Sequence, residues 1–103
     1  MSSIFTKILK GEIKGDIIYQ TENIFVIRDI TPEEKTHLLI IPKEELISTS
    51  DLDEKNISII WEMHLVAKDI AMKIGVEKGY KLRINVWEYQ EIPHIHMHLL
   101  SKY

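Results

Sequence analysis

With 103 residues the chain is long enough for one domain and no more, and without cysteine it has neither a disulfide nor a thiolate ligand for zinc. A net charge of −3, from 13 basic and 16 acidic residues in no obvious blocks, argues against the broad basic face that DNA or RNA requires, though not against a small nucleotide. No segment approaches the roughly 20 apolar residues of a membrane span, and Met1–Lys7 lacks a signal-peptide core, so a cytoplasmic protein with a modest core, enlarged by homodimerisation, is expected.

Residues 1–103 read as a single α+β domain. Ser3–Lys10 predicts a short amphipathic helix, apolar at Ile4, Phe5, Ile8 and Leu9, with Gly11 as its stop. Asp16–Thr21 and Ile24–Asp29 are β-branched or aromatic runs separated by Glu22-Asn23, which suggests a hairpin. Thr31–Lys35 is a turn, and His37–Ile41 is an apolar strand closed by Pro42. A long helix should begin near Ser50 or Asp51 and run to Ile74, with Gly75 just past its end. Its stripe of Ile57, Ile60, Trp61, His64, Ala67, Ala71 and Ile74 calls for a sheet or a partner helix beneath it. Tyr80–Trp87 alternates as a strand, and the last strand runs from Pro93 to about Ser101. The tally is a five-stranded antiparallel sheet with one short and one long helix, both segregated to one side. His64 lies mid-helix with no motif around it and reads as structural.

The informative segment is Pro93-His94-Ile95-His96-Met97-His98-Leu99-Leu100. On a strand, His94, His96 and His98 share one face while Ile95, Met97 and Leu99 share the other. The apolar set can pack on the long helix, and the imidazole set must face something polar. Two chemistries compete for it. A metal could use imidazole ligands, but the strand rise puts the Cα atoms of His94 and His98 about 13 Å apart, so two of the three plus His37 or a carboxylate would be needed. The favoured alternative is covalent catalysis at phosphorus. One neutral ring attacks, its neighbours donate to phosphate oxygens, and the flanked middle ring, His96, is the natural nucleophile. Stacked imidazoles also disfavour one another's protonation.

Gln90 followed by His94-x-His96-x-His98 and an apolar tail resembles the signature strand of the histidine triad family, and within it the nucleotide-binding branch. Ile4–Ile13, Arg28–Pro32 with His37–Lys43, and Gly79–Asn85 are similar to the branch's other blocks, in order along nearly the whole chain. The resemblance implies His96 as the nucleophile forming a nucleotidyl-histidine. His98 and Gln90 would contact phosphate oxygens, with Asn85 a further phosphate-side residue. His94 and His37 would orient the triad, and Asp29 would accept from ribose hydroxyls. Ile4, Phe5, Ile8, Ile27 and Ile30 match positions lining a purine pocket, and Arg28 faces either the base or solvent. It also implies pairing through the long helix and a sheet edge into a continuous ten-stranded sheet.

Some members bind structural zinc through two N-terminal cysteines; Ser3 and Thr6 stand there instead, so that site is expected to be absent. Glu91 stands where several members have a serine, and buried beside phosphate it would serve as general acid. The Asn85–Gln90 connection is short and lacks the branch's glycines, and the chain stops soon after the triad, at Ser101-Lys102-Tyr103. The expectation is a purine-nucleotide hydrolase of phosphoramidate type needing no metal or other cofactor. The rivals are a dinucleoside polyphosphate hydrolase, a regulatory nucleotide-binding protein and a histidine-ligated metalloprotein.

Overall fold

In the computed structural model, which describes residues 2–103, helix α1 (Ile4–Leu9) precedes strands β1 (Ile17–Gln20), β2 (Ile24–Arg28) and β3 (Thr36–Pro42). Helix α2 (Ser58–Ile74), β4 (Lys81–Ile84) and β5 (Met97–Ser101) follow, with single 3₁₀ turns at Thr49–Asp51 and Trp87–Tyr89. The strands form one five-stranded sheet in the order β1-β2-β3-β5-β4, every neighbouring pair antiparallel. Each chain connection except the one from β3 to β4 therefore joins strands adjacent in the sheet, and β5 inserts between β3 and β4.

Strands β2 and β3, buried except at Arg28 and Thr36, alternate between two apolar cores rather than between core and water. Ile24, Val26, Leu38, Ile40 and Leu99 face α2, whose Met63, Val66, Ala67, Ile70 and Ala71 cover them. Phe25, Ile27, Leu39 and Ile41 face the opposite way, onto Phe5, Ile8 and Leu9 of α1. The two helices thus lie on opposite faces of the sheet, not on one side as expected. Strands apolar on both faces need a cover on each, and the short helix supplies the second. At six residues α1 is too short to persist in isolation, so packing and its cap hold it in place.

Three boundaries also differ from expectation. The long helix starts at Ser58, because the polar residues that signal a start nearer Ser50 satisfy backbone groups locally. Asn56 Oδ1 accepts from Asp53 N at 2.7 Å and Asp53 Oδ1 from Lys55 N at 2.8 Å, closing a turn before the helix. Of the expected stripe, Ala67 and Ala71 are buried, but Ile57, Trp61 and His64 point outward, and Met63, Val66 and Ile70 take their place. The last strand begins at Met97, so only His98 of the three alternating histidines belongs to it. His94 Nε2 sits 2.8 Å from the Pro42 carbonyl, the place a ladder N–H would otherwise fill. With β5 starting at Met97, β4 has its last partner at Ile84 and ends there, short of the expected Trp87. Gly75 does end α2, in the left-handed region at φ 79°.

Candidate active site

His37 on β3 and His98 on β5 share the sheet face that α1 covers, one diagonal apart, because His98 pairs with Leu39 and His37 with Leu100. The backbone then fixes where each imidazole carries its proton. Glu33 N–H donates to His37 Nδ1 at 3.1 Å, so the His37 proton sits on Nε2. That proton points at His98 Nδ1, 2.9 Å away, with Asp29 Oδ2 beside it at 3.3 Å. His98 Nδ1 therefore accepts and its proton lies on Nε2, which is buried and has no partner among the described residues. His96 shows the opposite arrangement. Its Nδ1 lies 2.8 Å from the His94 carbonyl, which can only accept, so the lone pair is on Nε2. His94 in turn donates from Nε2 to Pro42 O at 2.8 Å and accepts at Nδ1 from Ser3 Oγ at 2.6 Å.

The consequence is two unspent groups side by side: a lone pair on His96 and an N–H on His98, their rings 5.0 Å apart. A buried donor without a partner costs about 1–3 kcal/mol, a cost that an incoming acceptor would remove. A ring lone pair held next to such a donor suits attack on a centre that carries an oxyanion, as phosphorus does.

Both rings line a mostly apolar cavity of about 190 Å³ with Ile4, Phe5 and Ile8 of α1, Ile27, Arg28 and Leu39 of the sheet, Asp29, Ile30 and Thr31 beyond β2, and Glu91 and Ile92 before the triad. Phe5 meets the His96 ring edge-on at 5.0 Å. Ile30 is 93% exposed at the mouth, so a large apolar side chain stands there with nothing to cover it. A larger recess of about 340 Å³, lined by Lys78, Lys81, Lys102, two tyrosines and Glu34 among others, touches none of the histidines.

Burial favours the neutral form of His94, His96 and His98. It lowers His94 and His96 below the ordinary 6.5, against smaller opposing effects of the carbonyls they bond. His98 falls to about 4, first from burial and then from the neighbouring His96, Arg83 and His37. Arg83, which pairs with His98 across β4 and β5, is clamped by Glu33 at 2.7 and 3.2 Å, and this pairing lowers Glu33 below its usual range.

Of the residues singled out from sequence, Ile4, Phe5, Ile8, Ile27, Arg28, Asp29, Ile30, Glu91, His96 and His98 all line the cavity, and His37 and His94 stand behind it. Arg28 sits at the rim with its guanidinium on Asp16, 3.2 Å away. Asp29 keeps Oδ1 on the Thr31 backbone N–H at 2.9 Å, which closes the turn and aims Oδ2 inward. Glu91 is exposed, so the burial expected to suit it to proton donation is not found. Asn85 and Gln90 are not brought to the cavity. Gln90 instead accepts from Trp87 N at 2.8 Å and donates to the carbonyls of Ile47 and Ile92, holding a loop in which Trp87 adopts φ 50°. That left-handed backbone costs a non-glycine residue about 1–2 kcal/mol, and the hydrogen bonds of Gln90 offset it. Ser3, Glu33 and Arg83 had no visible motif, because each acts through a partner at least 50 residues away in sequence or through a backbone group.

Asp29, His37 and His98 form a group of three metal-type donors, with ligand atoms within 4.8 Å of one another. A neutral imidazole bound to a metal turns a lone pair to the ion and a proton to its other nitrogen. In His37 this order is reversed, since Nδ1 faces an N–H and Nε2 spends its proton on His98 and Asp29. The set does not fit an ion unless both bonds break.

Residues 2–103 match the family described as scavenger mRNA decapping enzyme C-term binding. The chain is 41% identical over 102 residues to the purine nucleoside phosphoramidase of Escherichia coli K12, covering 96% of this chain and 86% of that one. It is 40% identical over 103 residues to a 14 kDa zinc-binding protein of Zea mays, covering 96% and 80%. The crystal structure of a HIT family hydrolase from Legionella pneumophila superposes with a TM-score of 0.93 at 36% identity, over 99% of this chain and 94% of that one.

Proposed function

The chain belongs to the histidine triad family, and from that premise we propose that it is a purine-nucleotide hydrolase of phosphoramidate type, acting at the α-phosphorus without a metal. The observation that carries this reading is the opposed pair of tautomers, a free lone pair on His96 Nε2 beside a free N–H on His98 Nε2. The purine lies between Phe5, Ile8 and Ile30, where flat apolar walls cover its faces. Asp29 accepts from ribose hydroxyls with the oxygen not taken by Thr31. This binding holds phosphorus in line with His96. His96 Nε2 attacks, a P–N bond to His96 forms, and the bond to the leaving amine breaks. The amine leaves with a proton from Glu91 or from water at the cavity mouth. Water then attacks the nucleotidyl-histidine and regenerates the free ring, while His98 Nε2–H stabilises the phosphate oxygens in both steps. We read the active form as a cytoplasmic homodimer.

The phosphoramidase name of the Escherichia coli relative supports a P–N leaving bond. A panel of adenosine and guanosine 5′-phosphoramidates against diadenosine polyphosphates tests it. Release of nucleoside monophosphate from the phosphoramidates at a higher kcat/KM is expected. Turnover confined to the polyphosphates would replace this reading with the polyphosphate one. Nucleotide binding without turnover of any substrate would make the protein a regulatory binder.

A further inference from the structure

Ser3 lies outside the cavity, yet its hydroxyl joins a helix start to a triad ring, with the Thr6 hydroxyl beside it at 3.4 Å. Its Oγ accepts from Thr6 N at 3.1 Å, capping α1, and lies 2.6 Å from His94 Nδ1. Because His94 Nε2 must donate to the Pro42 carbonyl, the Ser3 proton is the one that lies between Oγ and Nδ1. His94 is fully buried, so neither ring nitrogen has water to fall back on. One atom thus joins the start of the helix that carries Phe5 to the ring whose own backbone carbonyl fixes the His96 tautomer.

We propose that Ser3 is a positioning residue for the hydrolysis, setting the His94 tautomer and through it the orientation of His96, in addition to capping α1. This rests on the function proposed above for His96. A cap needs only an acceptor, whereas the His94 ring needs a donor, and the two demands can be separated by substitution. Ser3→Asp keeps the acceptor and is as good a cap as serine, but it offers His94 Nδ1 a carboxylate in place of a proton. With Nε2 committed to the Pro42 carbonyl, the ring meets an ionised carboxylate by taking a second proton. The other charged or titratable groups facing His94 are Glu45, which already accepts from the Ser3 backbone N–H, and the ring of His96. Ser3→Thr keeps both functions.

The test combines steady-state kinetics on adenosine 5′-phosphoramidate, thermal stability and ¹⁵N imidazole spectra of the wild type, Ser3→Asp and Ser3→Thr. The positioning role predicts that Ser3→Asp melts near the wild type but loses about 10–100-fold in kcat, a loss of the size that misplacing a reacting group produces. In that variant both His94 nitrogens read as protonated at pH 7, and Ser3→Thr restores the wild-type kcat and spectrum. An Ser3→Asp protein with wild-type kcat, or with His94 Nδ1 still unprotonated, would reduce Ser3 to a helix cap. If Ser3→Asp fails to fold, a wild-type spectrum in which His94 Nδ1 carries the proton would overturn the proposal by itself. Absence of turnover in the wild type would bring down the proposed function, and the spectra would still decide the hydrogen bond.

Discussion

Burial lowers His98 to about 4, with the adjacent His96, Arg83 and His37 adding to it, and it lowers His94 and His96 as well. Between pH 6.5 and about 4 the unfolded chain therefore binds more protons at these rings than the folded one, so stability rises with pH across that window. Acidification from pH 7 to 4.5 should lower the urea midpoint, and His98→Asn should shrink that pH difference; an unchanged difference would remove His98 from the account. Neutral rings are also what the chemistry requires, since a protonated His96 has no lone pair to attack with. At this scale the sequence made the triad visible through its period of two. It did not make the tautomers visible. Those are set by Glu33 N–H, the Pro42 and His94 carbonyls and the Ser3 hydroxyl, and a backbone group or a partner 91 residues away leaves no local pattern.

Helix α2 is apolar on two sides. Met63, Val66, Ala67, Ile70 and Ala71 are buried against the sheet, while Trp61, Leu65 and Met72, with Ile57 at the start, form an exposed stripe on the opposite side. An exposed apolar helix stripe is the kind of surface that interfaces cover, and β4 is an edge strand of the sheet among the described residues. This supports the proposed homodimer. Light scattering should give twice the mass of the chain, and Trp61→Glu should give a folded monomer; a wild-type monomer at micromolar concentration would contradict it. Sequence periodicity found the helix and its Gly75 end but merged its two apolar faces into one stripe, since a contact with a sheet and one with a partner leave the same spacing. The late start at Ser58 was hidden for a similar reason, because Asp53 and Asn56 close a turn as readily as they cap a helix.

Taken whole, the fold is a five-stranded sheet with a long helix behind it and a short helix in front, and the cavity lined by His96 and His98 lies on the front. The strand count and the antiparallel pairing were legible, because alternating hydrophobicity reports which residues share a face, whereas most of the cavity wall followed only from the resemblance to the family. Which face each helix covers was not, because strands that carry apolar residues on both faces look alike from either side. The central claim is that a neutral His96, presented by this sheet face without a metal, is the nucleophile. The most direct test is hydrolysis of adenosine 5′-phosphoramidate by metal-stripped wild type beside His96→Ala, with nucleotide affinity measured for both. The account predicts AMP release by the wild type alone, with the variant binding AMP within about tenfold of it, as expected when only a transition-state interaction is removed. Substantial turnover by His96→Ala, or wild-type activity that returns only when metal is restored, would contradict it.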